Sequence, residues 1–217
     1  MTSYKLYSYF RSSAAFRVRI AMGLKGLSYD YLPVHLLKDG GQQLTDAYRK
    51  LNADGVVPSL VDGDHTLTQS IAIIEYLDET HPEPKLLPGG ALDRAYVRAL
   101  ALEIACEIHP LNNLRVLKYL KRTLGVSEEA KDGWYRYWIE QGFAALETTL
   151  ARSGKVGKFC LGDTPTLADI CLVPQVFNAN RFNIDMAPYP TIRRIVDACM
   201  EVPAFQRAHP SVQPDAE

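Results

Sequence analysis

Between Pro82 and Gly90 the chain sets three prolines and two glycines, and the hydrophobic pattern changes character across that stretch. Such a run reads as a linker. Before it, apolar residues alternate with period two in short runs at residues 5–9, 29–35, 57–61 and 66–68. Between these lie segments of helical spacing at 13–25, 43–51 and 70–79. The first ends at Gly26, and the last carries Ile71, Ile74 and Leu77 on one face. The order strand-helix-strand, then strand-strand-helix, predicts a small α/β unit. After the linker, strand signals vanish, and residues 92–124, 128–150, 166–180 and 189–200 show helical periodicity. The chain is therefore expected to form an α/β domain over 1–84 and an all-α domain over 91–217, with the polar last nine residues on the surface.

An apolar fraction of 47% over 217 residues is enough for a real core. The net charge of -1 gives no electrostatic case for nucleic acid or an anionic membrane. No apolar run approaches the roughly 20 residues of a membrane span, and Met1-Thr2-Ser3 does not read as a secretory leader. Cys106, Cys160, Cys171 and Cys199 lack metal or redox spacing and sit among apolar neighbours, so they are read as reduced core thiols in a cytoplasmic protein.

The segment with the most chemical content is Tyr9-Phe10-Arg11-Ser12-Ser13, which joins the first strand to a helix carrying Phe16, Ile20 and Leu24. A helix start exposes backbone N–H groups and the positive end of its dipole, and a hydroxyl beside them can donate to an anion. Pro58 interrupts an otherwise strand-like run. It is either an ordinary edge-strand proline or a cis peptide that leaves the Val57 N–H and C=O for an extended ligand. Ser70, after Gln69, is a natural N-cap whose helix start can also receive a carboxylate. Thr166 with Asp169 forms a capping-box pattern that fixes a core helix. Arg11 and Arg181 are candidate carboxylate binders, with a solvated surface role as the alternative. His109-Pro110-Leu111-Asn112-Asn113 lies in a helical stretch, where proline imposes a bend. Its polar side chains either face a cleft or form a satisfied polar patch.

Taken together, Ser12-Ser13 with Arg17-Val18-Arg19-Ile20-Ala21, Lys38-Asp39-Gly40-Gly41-Gln42-Gln43, Val57-Pro58, Gln69-Ser70 and Ala72-Ile73-Ile74-Glu75-Tyr76-Leu77 resemble the zeta class of glutathione transferases. Leu172-Val173-Pro174-Gln175-Val176, Arg181-Phe182 and Pro188-Tyr189-Pro190 extend the resemblance over nearly the whole chain. It implies an α/β thioredoxin-like N-terminal domain, an all-α C-terminal domain, and a homodimer. It also implies glutathione as cofactor, bound by Ser12, Ser13, Gln43, Val57, cis-Pro58, Gln69 and Ser70. Ser13, with Ser12, would contact the thiol, and Arg11, His109, Asn113 and Arg181 would contact a small dicarboxylate substrate.

The implied activity is isomerisation of maleylacetoacetate to fumarylacetoacetate in tyrosine and phenylalanine catabolism. The alternatives are maleylpyruvate isomerisation, general glutathione conjugation or α-halo acid dehalogenation. One position departs from the animal and plant pattern: Ala14 stands where those members carry cysteine. A mechanism through a protein thiol there is excluded, and thiol–disulfide exchange is disfavoured because Ser12, Ser13 and Ala14 occupy the turn where a redox cysteine would lie.

Overall fold

The alternating pattern of the first eighty residues builds a four-stranded mixed sheet; the computed structural model describes residues 4–217. The strands are β1 (Tyr4–Ser8), β2 (Tyr29–Pro33), β3 (Ser59–Asp62) and β4 (His65–Thr68), in the order β2-β1-β3-β4. β1 and β2 are parallel, which requires a crossover, and α1 (Ser13–Leu24) supplies it. β3 runs antiparallel to β1, and β4 antiparallel to β3.

Ser12 caps α1, its Oγ accepting from the Ala15 N–H at 3.2 Å. The helix stops at Gly26, whose φ of +67° suits glycine. Gly26 N donates to Gly23 O at 3.3 Å and Leu27 N to Met22 O at 2.9 Å, the paired bonds of a Schellman ending. α1 packs on α3 (Ser70–Thr80) and on α9 (Pro203–Ala208). A side chain at Gly23 would sit 3.2 Å from the Ala204 Cβ, so glycine is what allows α1 and α9 to approach this closely.

α9 and the residues after it pack in the first unit, which comprises Met1–Leu86 and Glu201–Glu217, while the second comprises Leu87–Met200. The sequence reading places 201–217 with the helices and leaves its end on the surface. Arg19 is one cause of the difference. Its buried guanidinium donates from Nε to Ala208 O at 3.1 Å, from Nη2 to Phe10 O at 2.9 Å and from Nη1 to Ser8 Oγ at 3.1 Å. A cation this deep is satisfied only with the returning segment in place. Pro210 and Gln213 are buried accordingly. At the other side of the unit, Lys25 Nζ donates to Asp78 Oδ1, His81 O and Pro84 O, each at 2.6 Å, fixing the start of the linker.

His209 stands beside this cluster, edge-on to Phe16, with Nδ1 accepting from Ser211 N at 3.3 Å. Burial, aided by the Arg19 charge, lowers its pKa. A depressed folded-state value means stability that is present above the unfolded value of about 6.5 and lost as pH falls through the folded one. Thermal melts between about pH 7.5 and pH 5 are expected to show a smaller acid loss for His209→Gln than for the parent. Equal losses would remove His209 from the account.

The second unit is helical: α4 (Ala91–Leu102), α5 (Leu114–Arg122), α6 (Glu128–Arg152), α7 (Leu167–Arg181) and α8 (Pro190–Met200). α7 is its centre, buried on every side from Leu167 to Val176 and packed on α4 and α8. An apolar perimeter of this kind is what a central helix requires. The helical stretch expected over 92–124 is broken at the bend its Pro110 implies, and a π-helical turn precedes that bend. α4 passes into a π-helical turn, Glu103–Ile108, the chain bends at 109–113, and α5 begins afresh. Cys160, Cys171 and Cys199 are buried as expected, and burial pushes the Cys160 and Cys199 thiols up. Cys106 is exposed on the π turn and is not a core thiol. Among the described residues, no helix is long and apolar enough to cross a membrane.

Candidate functional site

Strand register alone gathers the candidate residues of the first unit. Ser8 ends β1 opposite Pro33 of β2, Tyr7 lies opposite Ser59 at the start of β3, and Ser59 lies opposite Thr68 at the end of β4. The segments leaving this end of the sheet carry Arg11, Ser12 and Ser13, then Val57 and Pro58, then Gln69 and Ser70. Beneath them Tyr9, Phe10, Val34, Tyr48 and Val57 form one buried cluster.

Ser12 N donates to Tyr9 O at 3.0 Å, closing the turn that delivers the Ser pair. The Ser12 hydroxyl is committed as acceptor to the cap and keeps its own proton to donate. Ser13 is the first helical residue and is buried, at the positive end of α1. Arg11 is half-buried. Its guanidinium lies 5.0 Å from the Phe10 ring centroid, and Nη2 donates to Tyr9 Oη at 2.9 Å.

The Val57–Pro58 peptide is cis. β3 is flanked by β1 and β4, so Pro58 does not sit on an edge strand as the sequence suggests. It is tolerated because it precedes the first ladder residue, Ser59, and removes no ladder donor. Tyr48 Oη and Asn52 Nδ2 each donate to Val56 O at 2.8 Å, holding the segment that presents Val57.

Gln69, not Ser70, is the N-cap of α3, with φ +66° and ψ +114°. A positive φ in a side-chain-bearing residue is uncommon and costs about 1–3 kcal/mol. It turns the chain sharply into the helix and leaves the start of α3 without a side-chain cap. Ser70 is buried as the first helical residue, and its Oγ accepts from Arg17 Nη1 at 3.4 Å. Uncapped N–H groups, a hydroxyl and a buried guanidinium together suit a carboxylate. Gln43 lies on a 3-10 turn, Gln42–Leu44, at 6% exposure. Among the described residues its Oε1 has no hydrogen-bond partner, and its Nε2 makes a long contact, 3.5 Å to Leu36 O. A buried amide left so incompletely satisfied is a place where a ligand's polar group gains most.

In the second unit, Asn113 caps α5, its Oδ1 accepting from Arg115 N at 3.1 Å. His109 is half-buried at the end of the π turn, with its N–H on Ile104 O at 2.9 Å. Asn112 is the buried member of the bend, and its Nδ2 donates to Tyr135 O at 3.1 Å. The Tyr135 ring stacks on Phe182 at 3.6 Å, and Arg181, exposed at the end of α7, lies with Cζ 5.9 Å from the same Phe182 ring. Tyr135 therefore connects the bend to Arg181. Burial pushes its hydroxyl up to about 12, against the pull of the Arg181 charge.

Sequence reasoning did not single out Arg17 or Tyr135. For Arg17 the available signal was that it and Arg19 are the two charges on a largely apolar α1; a tyrosine within α6 carried none.

The profile of the glutathione S-transferase N-terminal domain matches residues 6–85, and that of the C-terminal domain matches residues 128–198. A Vibrio cholerae protein named "Probable maleylacetoacetate isomerase" is 50% identical over 216 residues, covering 100% of both chains. The holo structure of a maleyl pyruvate isomerase, described as a bacterial zeta-class glutathione S-transferase, superposes with a TM-score of 0.95 at 50% identity. That match covers 98% of this chain and 100% of the other. A maleylacetoacetate isomerase from Methylobacterium extorquens AM1, crystallised with malonate and glutathione, gives a TM-score of 0.94 at 41% identity, over 98% and 99% of the two chains.

Proposed function

Because the chain belongs to the zeta class of the glutathione S-transferases, we propose that it is a glutathione-dependent cis-trans isomerase that converts maleylacetoacetate to fumarylacetoacetate. The observation that carries this reading is the convergence of Ser12–Ser13, Val57 and Gln69–Ser70 at one end of the sheet, together with the unsatisfied buried amide of Gln43. That set fits glutathione, a peptide with a carboxylate at each end. The start of α3, with Ser70 and Arg17, suits the γ-glutamyl carboxylate. The Val57 peptide groups suit the extended backbone, and Gln43 the glycyl end. Cytoplasmic location and a homodimer complete the reading.

When bound, glutathione supplies a sulfur nucleophile that adds reversibly to an electron-poor C=C bond and so removes the barrier to rotation. Ala14 offers no thiol of the protein's own. The Ser13 hydroxyl donates to the sulfur, and the α1 dipole favours its anion. Lowering an ordinary thiol pKa of about 8.5 by two units requires about 2.7 kcal/mol, within reach of a charge-assisted hydrogen bond plus a dipole. Arg181 receives a substrate carboxylate. Arg11, His109 and Asn113 are the further substrate contacts, Asn113 through the amide N–H groups its cap leaves uncommitted. Maleylpyruvate is the second reading, favoured by the TM-score of 0.95 to a maleyl pyruvate isomerase.

Both maleyl substrates, assayed with and without glutathione, test the proposal. The expected result is isomerisation of maleylacetoacetate that requires glutathione and leaves its concentration unchanged. Stoichiometric consumption of glutathione would identify a conjugating enzyme instead. Arg181→Ala is expected to raise the substrate KM by roughly 10- to 100-fold, the equivalent of one charged hydrogen-bond pair, with kcat less affected. If only the melting temperature moves, Arg181 is a structural residue.

A further inference from the structure

We infer that Asp215 is a positioning residue for the turn that carries Arg11, Ser12 and Ser13, clamping the Phe10 peptide from a point 205 residues away in the chain. Asp215 Oδ2 accepts from Phe10 N at 3.1 Å, and Oδ1 accepts from Tyr31 Oη on β2 at 2.6 Å. The carbonyl of the same Phe10 accepts from Arg19 Nη2 at 2.9 Å, and Arg19 Nη1 lies 3.4 Å from Tyr9 O. Phe10, the second residue of the Tyr9–Ser12 turn, is thus held at its N–H by a carboxylate and at its C=O by a guanidinium.

Hydrogen bonds in which one partner is ionised are roughly twice as strong as neutral ones. They fix the peptide from which the turn departs, and Ser12 N–H closes the turn on Tyr9 O one residue earlier. The Phe10 ring sits in the buried cluster that includes Val57, so the clamp also sets the floor beneath the proposed glutathione backbone contact. Glu217 adds pairs with Lys38 and His35 near the Gln43 loop, but these are exposed and add little. A tail needed only to cover α1 would end its work with α9 and Ala208; the carboxylate at 215 reaches the turn itself.

The inference rests on glutathione binding at this turn, so the test reads the bound thiol directly, by the ultraviolet absorbance of its thiolate as pH is varied. Asp215→Asn keeps the shape and loses the charge and one acceptor. Its bound thiol is expected to titrate about half to one unit higher than in the parent, with kcat at neutral pH down about three- to tenfold and glutathione affinity within about twofold. A relaxed turn raises the thiol pKa, whereas deletion of a nearby negative charge acting only through space lowers it. A fall, or no change alongside a lower melting temperature, overturns the inference.

Tyr31→Phe removes only the hydroxyl that anchors the other carboxylate oxygen, and is expected to move the thiol in the same direction by less. Should Asp215→Asn fail to fold, this variant decides, and an unchanged thiol overturns the proposal. A parent enzyme whose bound thiol titrates as in water would defeat the proposed function together with the clamp. A depressed parent value shared by both variants defeats the clamp alone.

Discussion

Ser13→Ala is expected to lower kcat by about a hundredfold at neutral pH while changing glutathione affinity by less than about fivefold. Ser13 lies buried at the positive end of α1, where a hydroxyl is a hydrogen-bond donor to an anion and not a nucleophile: no general base adjoins it in the sequence. The proposed bond to sulfur is worth far more to the thiolate than to the thiol. Its loss should therefore be felt in the fraction ionised and in the reaction, and little in binding, which the proposed contacts around Ser70, Val57 and Gln43 would sustain. The pH profile of kcat/KM should shift to higher pH, and activity should recover in part above about pH 9, where an unassisted thiol ionises unaided. Turnover equal to the parent's would remove Ser13 from the chemistry. Loss of binding without loss of kcat would make it a binding residue.

Asp169→Ala is expected to cost about 3–5 kcal/mol of stability, and to lower the melting temperature by roughly 10 °C or abolish folding. Asp169 is fully buried at the start of α7. Its Oδ1 accepts from Cys160 N at 2.9 Å, and its Oδ2 accepts from Thr166 N and Thr166 Oγ1, both at 2.8 Å. Burial raises its carboxyl pKa, and the bonds from Cys160 and Thr166 pull it back. Truncation orphans two buried N–H groups and a hydroxyl at one stroke, at about 1–3 kcal/mol each before relaxation. It also removes the reciprocal half of the capping box on the helix around which α4 and α8 pack. Asp169→Asn, which keeps one acceptor oxygen, should lose less. A thermal melt of Asp169→Ala within about 2 °C of the parent would show that the network contributes little to the folded state.

Local chemistry was legible in the sequence wherever it was set by neighbours in the chain. The strand-to-helix passage through Ser12–Ser13, the stop at Gly26 and the capping box at Thr166 all follow from residues within one or two turns of one another. What sequence misplaced depends on partners far away. Pro58 reads as an edge proline because the β3–β4 hairpin is local but nothing local reveals that β1 pairs on the other side of β3. Ser70 reads as the cap because only the tertiary path forces Gln69 to positive φ. The bend at Pro110 was legible, but the π-helical turn before it was not, because helical periodicity survives such a turn, and Cys106 reads as core for the same reason: its apolar neighbours are real, but the turn rotates it outward. That the segments carrying Val57 and Ser70 leave the same end of the sheet as the Ser12–Ser13 turn is a matter of strand register, which the family resemblance implied and periodicity could not show. Arg17 was quoted only as part of a signature, since its bond to Ser70 spans 53 positions.

The first unit is discontinuous: α9 and the segment after it return to cover α1, and Arg19 finds one of its acceptors at Ala208. Severing the chain at the proline-rich linker would not liberate a self-sufficient half. During synthesis the sheet must wait, with Arg19 short of one acceptor and one helix face bare, until more than a hundred intervening residues have emerged. Closing so wide a circuit is entropically slow. The segment that completes the first unit is thus made well after the sheet it covers, and the competence of the nascent glutathione-binding half waits on it.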